Sequence, residues 1–434
     1  MMSFFNDDKK GCKCTKCVYD PCLFYITKGD RIRSDAETSP TLRPFAEEAW
    51  VSIHTDDCDA YGTSEALLDE IYKSNNTKWK AKIVSSEFLL GIKRKRTQKM
   101  SEPLNKAVEK PVIISDEIEF TMTPYVDGMY KAFEDHINPK HVPKTPFPDK
   151  LMLSKQTVVD PEKSQRVLDK GYMRAVGMIL WAARGVFPEC AQGVNQLGSL
   201  MARPTDEAWT AAMHMISWMY TQRLRGITFS KDAPIEPTVF TDASNKPDTF
   251  DGLCRYGHST MVAGGPVTWS SKKLAHVGLS AFHNEYMALR HAASSAMWLH
   301  SISKEIGCAY MSHKPIQVYG DNLAANRLAK EHFISTGNQY IYLPYFWTKE
   351  LVQRGIIEVP YVSTKLNISD VFTKAVSKQV MDMLLLKLTG YEVDWYNQLQ
   401  AGDKSMFKSF FTEVDVMNHR LSFEPQNGVT NSET

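Results

Sequence analysis

The sequence predicts an α/β chain whose C-terminal half is built on a sheet of mixed direction. Two observations carry this. The runs "IEPTVFTDASN", "RYGHSTMVA" and "GPVTWSSKK" read as three successive strands, and the chain then alternates helix and strand from Ser280 to the helix near Ser369. At 434 residues, 43% hydrophobic and 23% charged, the chain is long enough for two or three domains, each with its own core.

The first hundred residues read as α+β. "DPCLFYITKGDRI" is a strand and "EEAWVSIHTDD" its hairpin partner. "SEALLDEIYKSNN" carries Leu67, Leu68, Ile71 and Tyr72 at helical spacing behind Ser64 as N-cap, and "SEFLLGIKRKR" returns as a strand ending in a basic run. From Met100 to about Lys150 the chain is Pro-rich and irregular around one helix at "PYVDGMYKAFEDHI". Residues 165–224 are expected to be helical in three segments, with Thr205 capping the third, and to act as a connector or packing module. Beyond Pro234 come the strands named above, with a turn at Gly264-Gly265 and a long helix from Ser280 to Ile306. The strand "KPIQVYGDN", two further helices and the strand "IIEVPYVST" lead to the last helix. The end of the chain reads as a polar tail.

Net charge is +1, so nucleic-acid binding must come from local patches rather than a global field. No run is long and apolar enough to span a bilayer, and the N-terminus has charges where a signal peptide needs its apolar core. An intracellular protein, cytoplasmic or nuclear, with mostly reduced thiols is expected. Cys12, Cys14, Cys17 and Cys22 crowd together, but their spacing is not a pair of CxxC clamps. Incidental thiols near a turn and a strand are preferred to a zinc site.

Four acids in the C-terminal half sit where acids are hard to explain structurally. Asp242 lies in a strand, on the face of Phe240 and opposite Val239. Glu285 lies on the helix stripe of Phe282 and Leu289 that should pack on the sheet. Asp321 closes the strand "IQVYGD", and Asp370 stands in the first turn of a helix. Taken singly, each has an ordinary explanation: an Asx-turn, a stripe-edge Glu, an N-cap, a dipole partner. Together they supply an oxygen-rich set from separate elements, as a magnesium pair roughly 3.5–4 Å apart requires. In the first hundred residues, Asp56 and Asp57 form a second acidic pair after an apolar, β-branched run.

"FTDASN", "TWSSKKLAHVGLSAFHNEYMAL", "VYGDNLAANRLAK" and "NISDVFTKAV" resemble the ribonuclease H domain of copia-type (Ty1/copia) retrotransposon polyproteins. The resemblance implies a ribonuclease H-like mixed sheet with flanking helices over 233–390. It implies Asp242, Glu285, Asp321 and Asp370 as catalytic metal ligands for two Mg2+ (or Mn2+) ions. "DPCLFYITKGD", "VSIHTDDCDAYGTSEALLDEIY" and "SEFLLGIKRKR" are similar to the later palm of the same polyproteins' reverse transcriptase, with Asp56 and Asp57 at its Asp pair. It thereby implies a partial polymerase palm over 1–100, an irregular, thumb-like linker over 101–164, a helical connection over 165–232 and a tail over 391–434. Two departures stand out. The earlier palm strand with the third polymerase aspartate is missing, so Asp56 and Asp57 form a half-site and polymerase activity is not expected of this chain alone. In "NQYIYLPYFW", Tyr340 and Phe346 stand where the family has histidines.

The expected activity is hydrolysis of the RNA strand of an RNA/DNA hybrid, with other products of the polyprotein as further partners and no membrane. Hybrids are recognised by shape and phosphates, for which Lys272, Lys273, Arg327 and Lys330 are candidates. The basic run Lys93–Arg96 is a backbone contact, a nuclear signal or a solvated strand end. Two alternatives stand beside this reading: a catalytically inactive relic or nucleic-acid-binding module, and an integrase-like strand transferase. The helix glutamate early in the domain favours ribonuclease H over the latter.

Overall fold

The computed structural model describes residues 12–31, 45–54, 57–80, 87–100, 113–156, 160–308, 311, 313–330, 342–392 and 394–395. The expected tail, Tyr340 and Asp56 lie outside or largely outside these residues.

The first sheet has order β1-β2-β3-β4, all antiparallel: β1 (Cys12–Lys16), β2 (Leu23–Arg31), β3 (Phe45–His54) and β4 (Asp57–Gly62). Helix α1 (Glu65–Trp79) covers one face through Leu67 and Ile71, which meet Ile26, Val51, Cys12 and Cys14. Ser64 caps it as expected, its side chain accepting from the Leu67 amide at 3.3 Å, a contribution of about 1 kcal/mol. Cys12 and Cys14 thus serve as small apolar core residues. Cys17 donates its thiol to Glu305 Oε2 at 2.7 Å, and Cys22 is exposed. Among the described residues the four thiols form no group with metal-ligand geometry.

The second sheet has order β5-β6-β7-β8: β5 (Phe88–Leu89), β6 (Ile92–Met100), β7 (Ile113–Thr121) and β8 (Ile227–Ser230). Strands β7 and β8 correct the expectation of an irregular stretch after Met100 and of helix up to the central sheet. The basic run pairs with the acidic β7. Arg96 donates through Nε to Asp116 Oδ1 at 2.8 Å, and Arg94 reaches Asp59 at 3.2 Å. Both guanidiniums are therefore committed to carboxylates, which favours the strand-end reading of this run.

Between β7 and β8 lie α2 (Thr123–Phe133), α3 (Pro161–Asp169), α4 (Tyr172–Gly185), α5 (Ala191–Ser199) and α6 (Asp206–Thr221). Thr205 caps α6, accepting from the Ala208 amide at 3.1 Å. The three helices expected over 165–224 are present, with α3 ahead of them.

The third sheet is the mixed one. It holds β9 (Thr238–Ala243), β10 (Arg255–Val262), β11 (Gly265–Lys273), β12 (Ile316–Tyr319) and β13 (Ile357–Glu358), in order β11-β10-β9-β12-β13. The first three strands pair antiparallel; β12 runs parallel to both β9 and β13. The hairpin between β10 and β11 turns on Ala263 (φ 49°) and Gly264 (φ 79°), one residue earlier than expected. Two consecutive left-handed residues suit a two-residue hairpin.

One face of this sheet carries α7 (Ala281–Glu305), capped by Ser280, with α8 (Leu323–Lys330) and α9 (Tyr342–Gln353). The small stripe of Ala288, Ala292, Ala293 and Ala296 is fully buried and lets α7 lie close to β9, with Val239 beneath it. The other face carries Phe240, α10 (Asp370–Thr373) and α11 (Lys378–Thr389). Its apolar core is continuous with that of α2–α6, and Trp269 Nε1 donates to the Ala183 carbonyl at 2.9 Å. The helical module is thus a cover for the sheet, which gives the expected packing role a definite surface.

Candidate functional site

Strand alternation puts Asp242 on the face of Phe240, as expected, beneath α10 rather than α7. Its neighbours in the sheet are Gly257 on β10 and then Ser271 on β11. This row supports α10. Ser271 Oγ donates to the Phe372 carbonyl at 2.6 Å, and a Cβ on Gly257 would run into the Cβ of Phe372. Glycine here gives α10 its close approach, which brings Asp370 over Asp242. Asn367, fully buried, fixes the preceding segment by donating to the Thr241 carbonyl at 2.9 Å.

Asp321 follows β12. Its ordinary explanation, a cap for α8, does not hold: Asn322 Oδ1 accepts from the amides of Ala324 and Ala325, both at 3.1 Å. The Asp321 carboxylate instead accepts from Thr364 Oγ1 at 2.7 Å.

Carboxylate oxygens of Asp242, Asp321 and Asp370 lie within 4.8 Å of one another. Asp242 and Asp370 are buried and Asp321 is half-buried. Glu285, 8% exposed, stands outside that group but close enough to feel Asp242 and Asp321. Its place on the packed stripe of α7 matches the sequence expectation.

Burial raises the pKa of Asp242, and Asp370 beside it raises it further; Lys374 and the Thr373 hydroxyl, which donates to Asp242 Oδ2, pull the other way. Burial also raises Glu285, reinforced by Asp242 and Asp321 and countered by the Ala243 amide. Asp370 is raised by burial despite its ion pair with Lys374 at 2.9 Å. Burial opposes the charge of Lys374, yet Asp242 and Asp370 hold its ammonium above the usual pKa.

Three carboxylates thus meet beside the Lys374 ammonium, with Glu285 within electrostatic reach of two of them, and Asp370 Oδ1 is buried with no hydrogen-bond partner. Like charges so close, with an orphaned hard oxygen, fit a divalent cation held by carboxylates. Among the described residues this is the only group with such geometry.

The other sequence candidates scatter. Asp57 is exposed at the start of β4, away from this cluster. Lys272 is exposed. Lys273 bonds Asp248 and Asp251, both at 2.7 Å, and so is already neutralised. Arg327 and Lys330 are exposed on α8, and Phe346 is exposed on α9. Sequence reasoning assigned no role to Thr364, Asn367, Thr373 or Lys374. The last two stand in the quoted "NISDVFTKAV", where a hydroxyl and an ammonium three and four residues after an acid are the available signal.

Among the described residues, no helix is long and apolar enough to cross a membrane. No family model matches the chain. It is 29% identical over 191 residues, 44% of its length, to the Retrovirus-related Pol polyprotein from transposon RE2 of Arabidopsis thaliana, of which the match covers 13%. It is 26% identical over 275 residues, 62% of its length, to the Pol polyprotein from transposon TNT 1-94 of Nicotiana tabacum, of which the match covers 20%. The chain therefore spans a fifth or less of these curated relatives. A solved N-terminal RNase H domain from Mycobacterium tuberculosis, fused to maltose binding protein, matches 35% of this chain and 96% of that one. Identity is 13% and the TM-score 0.25, a level that carries no argument. What these comparisons establish is distant similarity, over part of the chain, to Pol polyproteins of Ty1/copia retrotransposons.

Proposed function

We propose that the chain is a retrotransposon-derived protein with a ribonuclease H-type nuclease centre, hydrolysing the RNA strand of RNA/DNA hybrids. The observation that carries this is the meeting of Asp242, Asp321 and Asp370 from three separate elements, with Glu285 facing them from α7. The mixed sheet between two helical layers supports the same reading.

In this reading, Asp242, Glu285, Asp321 and Asp370 hold two magnesium or manganese ions. The chemistry supplied by bound ions is activation of water and stabilisation of the leaving 3′-oxygen during in-line displacement. The chain's own residues set the geometry. Thr373 and Thr364 orient the carboxylates of Asp242 and Asp321, and Lys374 offsets part of the negative charge at Asp370. Burial favours the protonated forms of Asp242 and Glu285, so a metal held by them would compete with protons. The first sheet with α1 corresponds to part of a polymerase palm, with Asp57 at the start of β4. Residues 101–164 are a thumb-like linker, 165–232 a connection and 233–390 the nuclease unit.

The test is cleavage of a labelled RNA/DNA hybrid by the purified chain, with magnesium or manganese, beside Asp321→Asn. The expected result is cleavage by the wild type and a loss of at least 100-fold in the variant, the scale on which removing a preorganised charge acts. The inactive-relic reading draws on Lys374, whose ammonium already sits against Asp370. Intact hybrid with both proteins, folding preserved, would select that reading.

A further inference from the structure

A cleft of about 180 Å³ opens between α5, residues 150–153 and the site end of β9–β11. Its wall contains Arg255, 8% exposed. Arg255 Nη1 donates to Asn195 Oδ1 and to Ser271 Oγ, both neutral groups. Both of these bonds are made by Nη1. The nearby acids are spent elsewhere: Asp248 and Asp251 both hold Lys273, and Asp248 also accepts from Ser154 and from the Phe250 amide. Asp248 and Asp251 act on Arg255 electrostatically but form no ion pair with it, so an anion in the cleft would further offset the cost of its burial. Burial brings Arg255 down only to about 10, so it stays charged at neutral pH.

The rest of the wall is mixed: Leu151, Met152, Leu153, Leu253 and Ala375 are apolar, and its charged residues are mostly basic. Lys150 and Lys246 are exposed on it, and Lys374 stands where it meets the acidic cluster. Asp248 is its one carboxylate, already paired. A planar fork flanked by ammonium groups is the usual protein complement to a phosphate. The cleft also shares Thr373 and Lys374 with the acidic cluster, so an anion there lies beside the carboxylates. A free anion gains nothing from that adjacency. A phosphodiester strand threading past the cluster presents a phosphate to both.

We propose that the cleft walled by Arg255, Lys150, Lys246 and Lys374 is a phosphate subsite that takes a backbone phosphodiester of a nucleic-acid strand lying across the acidic cluster. The anion site stands on its own geometry; the choice of a hybrid as the strand rests on the nuclease reading above. It also gives the helical module a part in binding, because α5 supplies Asn195, the partner of Arg255.

The test uses the full chain and a fluorescent RNA/DNA hybrid in EDTA, with binding read by anisotropy over a salt series. Inorganic phosphate is the second probe, read by thermal shift. Lys150→Glu with Lys246→Glu alters only exposed side chains; Arg255→Gln is the buried counterpart. The double variant is expected to bind hybrid at least 10-fold more weakly at low salt, with a log–log salt slope shallower by about 1 for the one phosphate the subsite takes. Arg255→Gln is expected to weaken hybrid binding and abolish the phosphate-induced shift. Hybrid affinity within twofold of wild type, with an unchanged slope, overturns the proposal. Lost phosphate binding with unchanged hybrid binding overturns its strand assignment and leaves a free-anion site. Cleavage by the wild type with cleft-independent binding sinks the subsite alone. Cleft-dependent binding without cleavage keeps the subsite and removes the nuclease reading.

Discussion

Replacing Asp242 by Asn should stabilise the metal-free protein while destroying its metal site. In the fold, burial and the neighbouring Asp370 raise the Asp242 pKa from 3.8 to about 7. The folded protein therefore binds more protons than the unfolded chain between about pH 4 and pH 7. Stability falls as pH rises through that window and is flat above it. A shift of about three units corresponds to a ceiling of about 4 kcal/mol, at 1.36 kcal/mol per unit. Local relaxation and water entry reduce this to about 1–3 kcal/mol. Asparagine carries no such penalty, and its carbonyl can still accept the Thr373 hydroxyl. At about 2 °C per kcal/mol for a chain of this size, Asp242→Asn should melt about 2–6 °C above wild type in EDTA at pH 8. The gap should narrow at pH 5, where the folded wild type already holds the proton. Excess magnesium should raise the wild type by mass action and leave the variant unmoved. Differential scanning fluorimetry in the four conditions checks the pattern. A variant that melts below wild type in EDTA at pH 8, by the same margin at pH 5, would refute the reasoning. Asp242 would then be a stabilising partner of Thr373 and Lys374 rather than a strained ligand.

Glu285→Gln should behave alike over a higher range, because burial, Asp242 and Asp321 lift Glu285 to about 9; its gain in EDTA should persist to pH 8 and be smaller at pH 6. Gly257→Ala should push Phe372 and α10 off the sheet, costing about 1–3 kcal/mol by overpacking and at least 10-fold in hybrid cleavage, read by melting and by turnover. Asn322→Ala uncaps α8, costs about 1 kcal/mol in denaturant titration and should weaken magnesium binding by drawing Asp321 toward the open amides. Burial depresses His258 and His291 to about 4, so their contribution to stability is full above about 6.5 and is lost as pH falls toward 4. His258→Gln should flatten that acid limb by up to about 1.4 kcal/mol per pH unit, as read in urea melts across pH 4–7.

Those residues also mark where sequence reasoning reaches. Phe240 and Val239 show the alternation of a strand covered on both faces, and Asp242 could be assigned its face from them alone. Glu285 was legible because a charge on a packed stripe demands company. The strand β7 was missed although Asp116, Ile118 and Phe120 alternate with Glu117 and Glu119. Asp116 interrupts the apolar face of Ile114, Ile118 and Phe120, and the ladder with the basic β6 accommodates the acids. Arg255 was invisible for a related reason. An arginine opening a strand reads as solvated until tertiary contact with Asn195 buries it. The capping role of Asn322 shows the reverse case: two adjacent polar residues competed for one local job, and backbone geometry chose between them.

The acidic cluster also explains why the sheet needs its second cover. A site whose burial raises the pKa of Asp242 and Glu285 lowers the stability of the fold that carries it at neutral pH. The surrounding packing must offset that cost without filling the cleft. On the α7 side an Ala stripe does this by close approach. On the other side α10 is a single turn, too short to hold itself. It is fixed by Ser271, Asn367 and the glycine below it, and by the core shared with α2–α6. Removing that module should therefore loosen Asp370 first. A chain cut to residues 233–395 is expected to bind magnesium more weakly than the full protein even where its sheet survives. Isothermal titration of both would show it, and equal affinities would mean that α10 is held by the sheet alone.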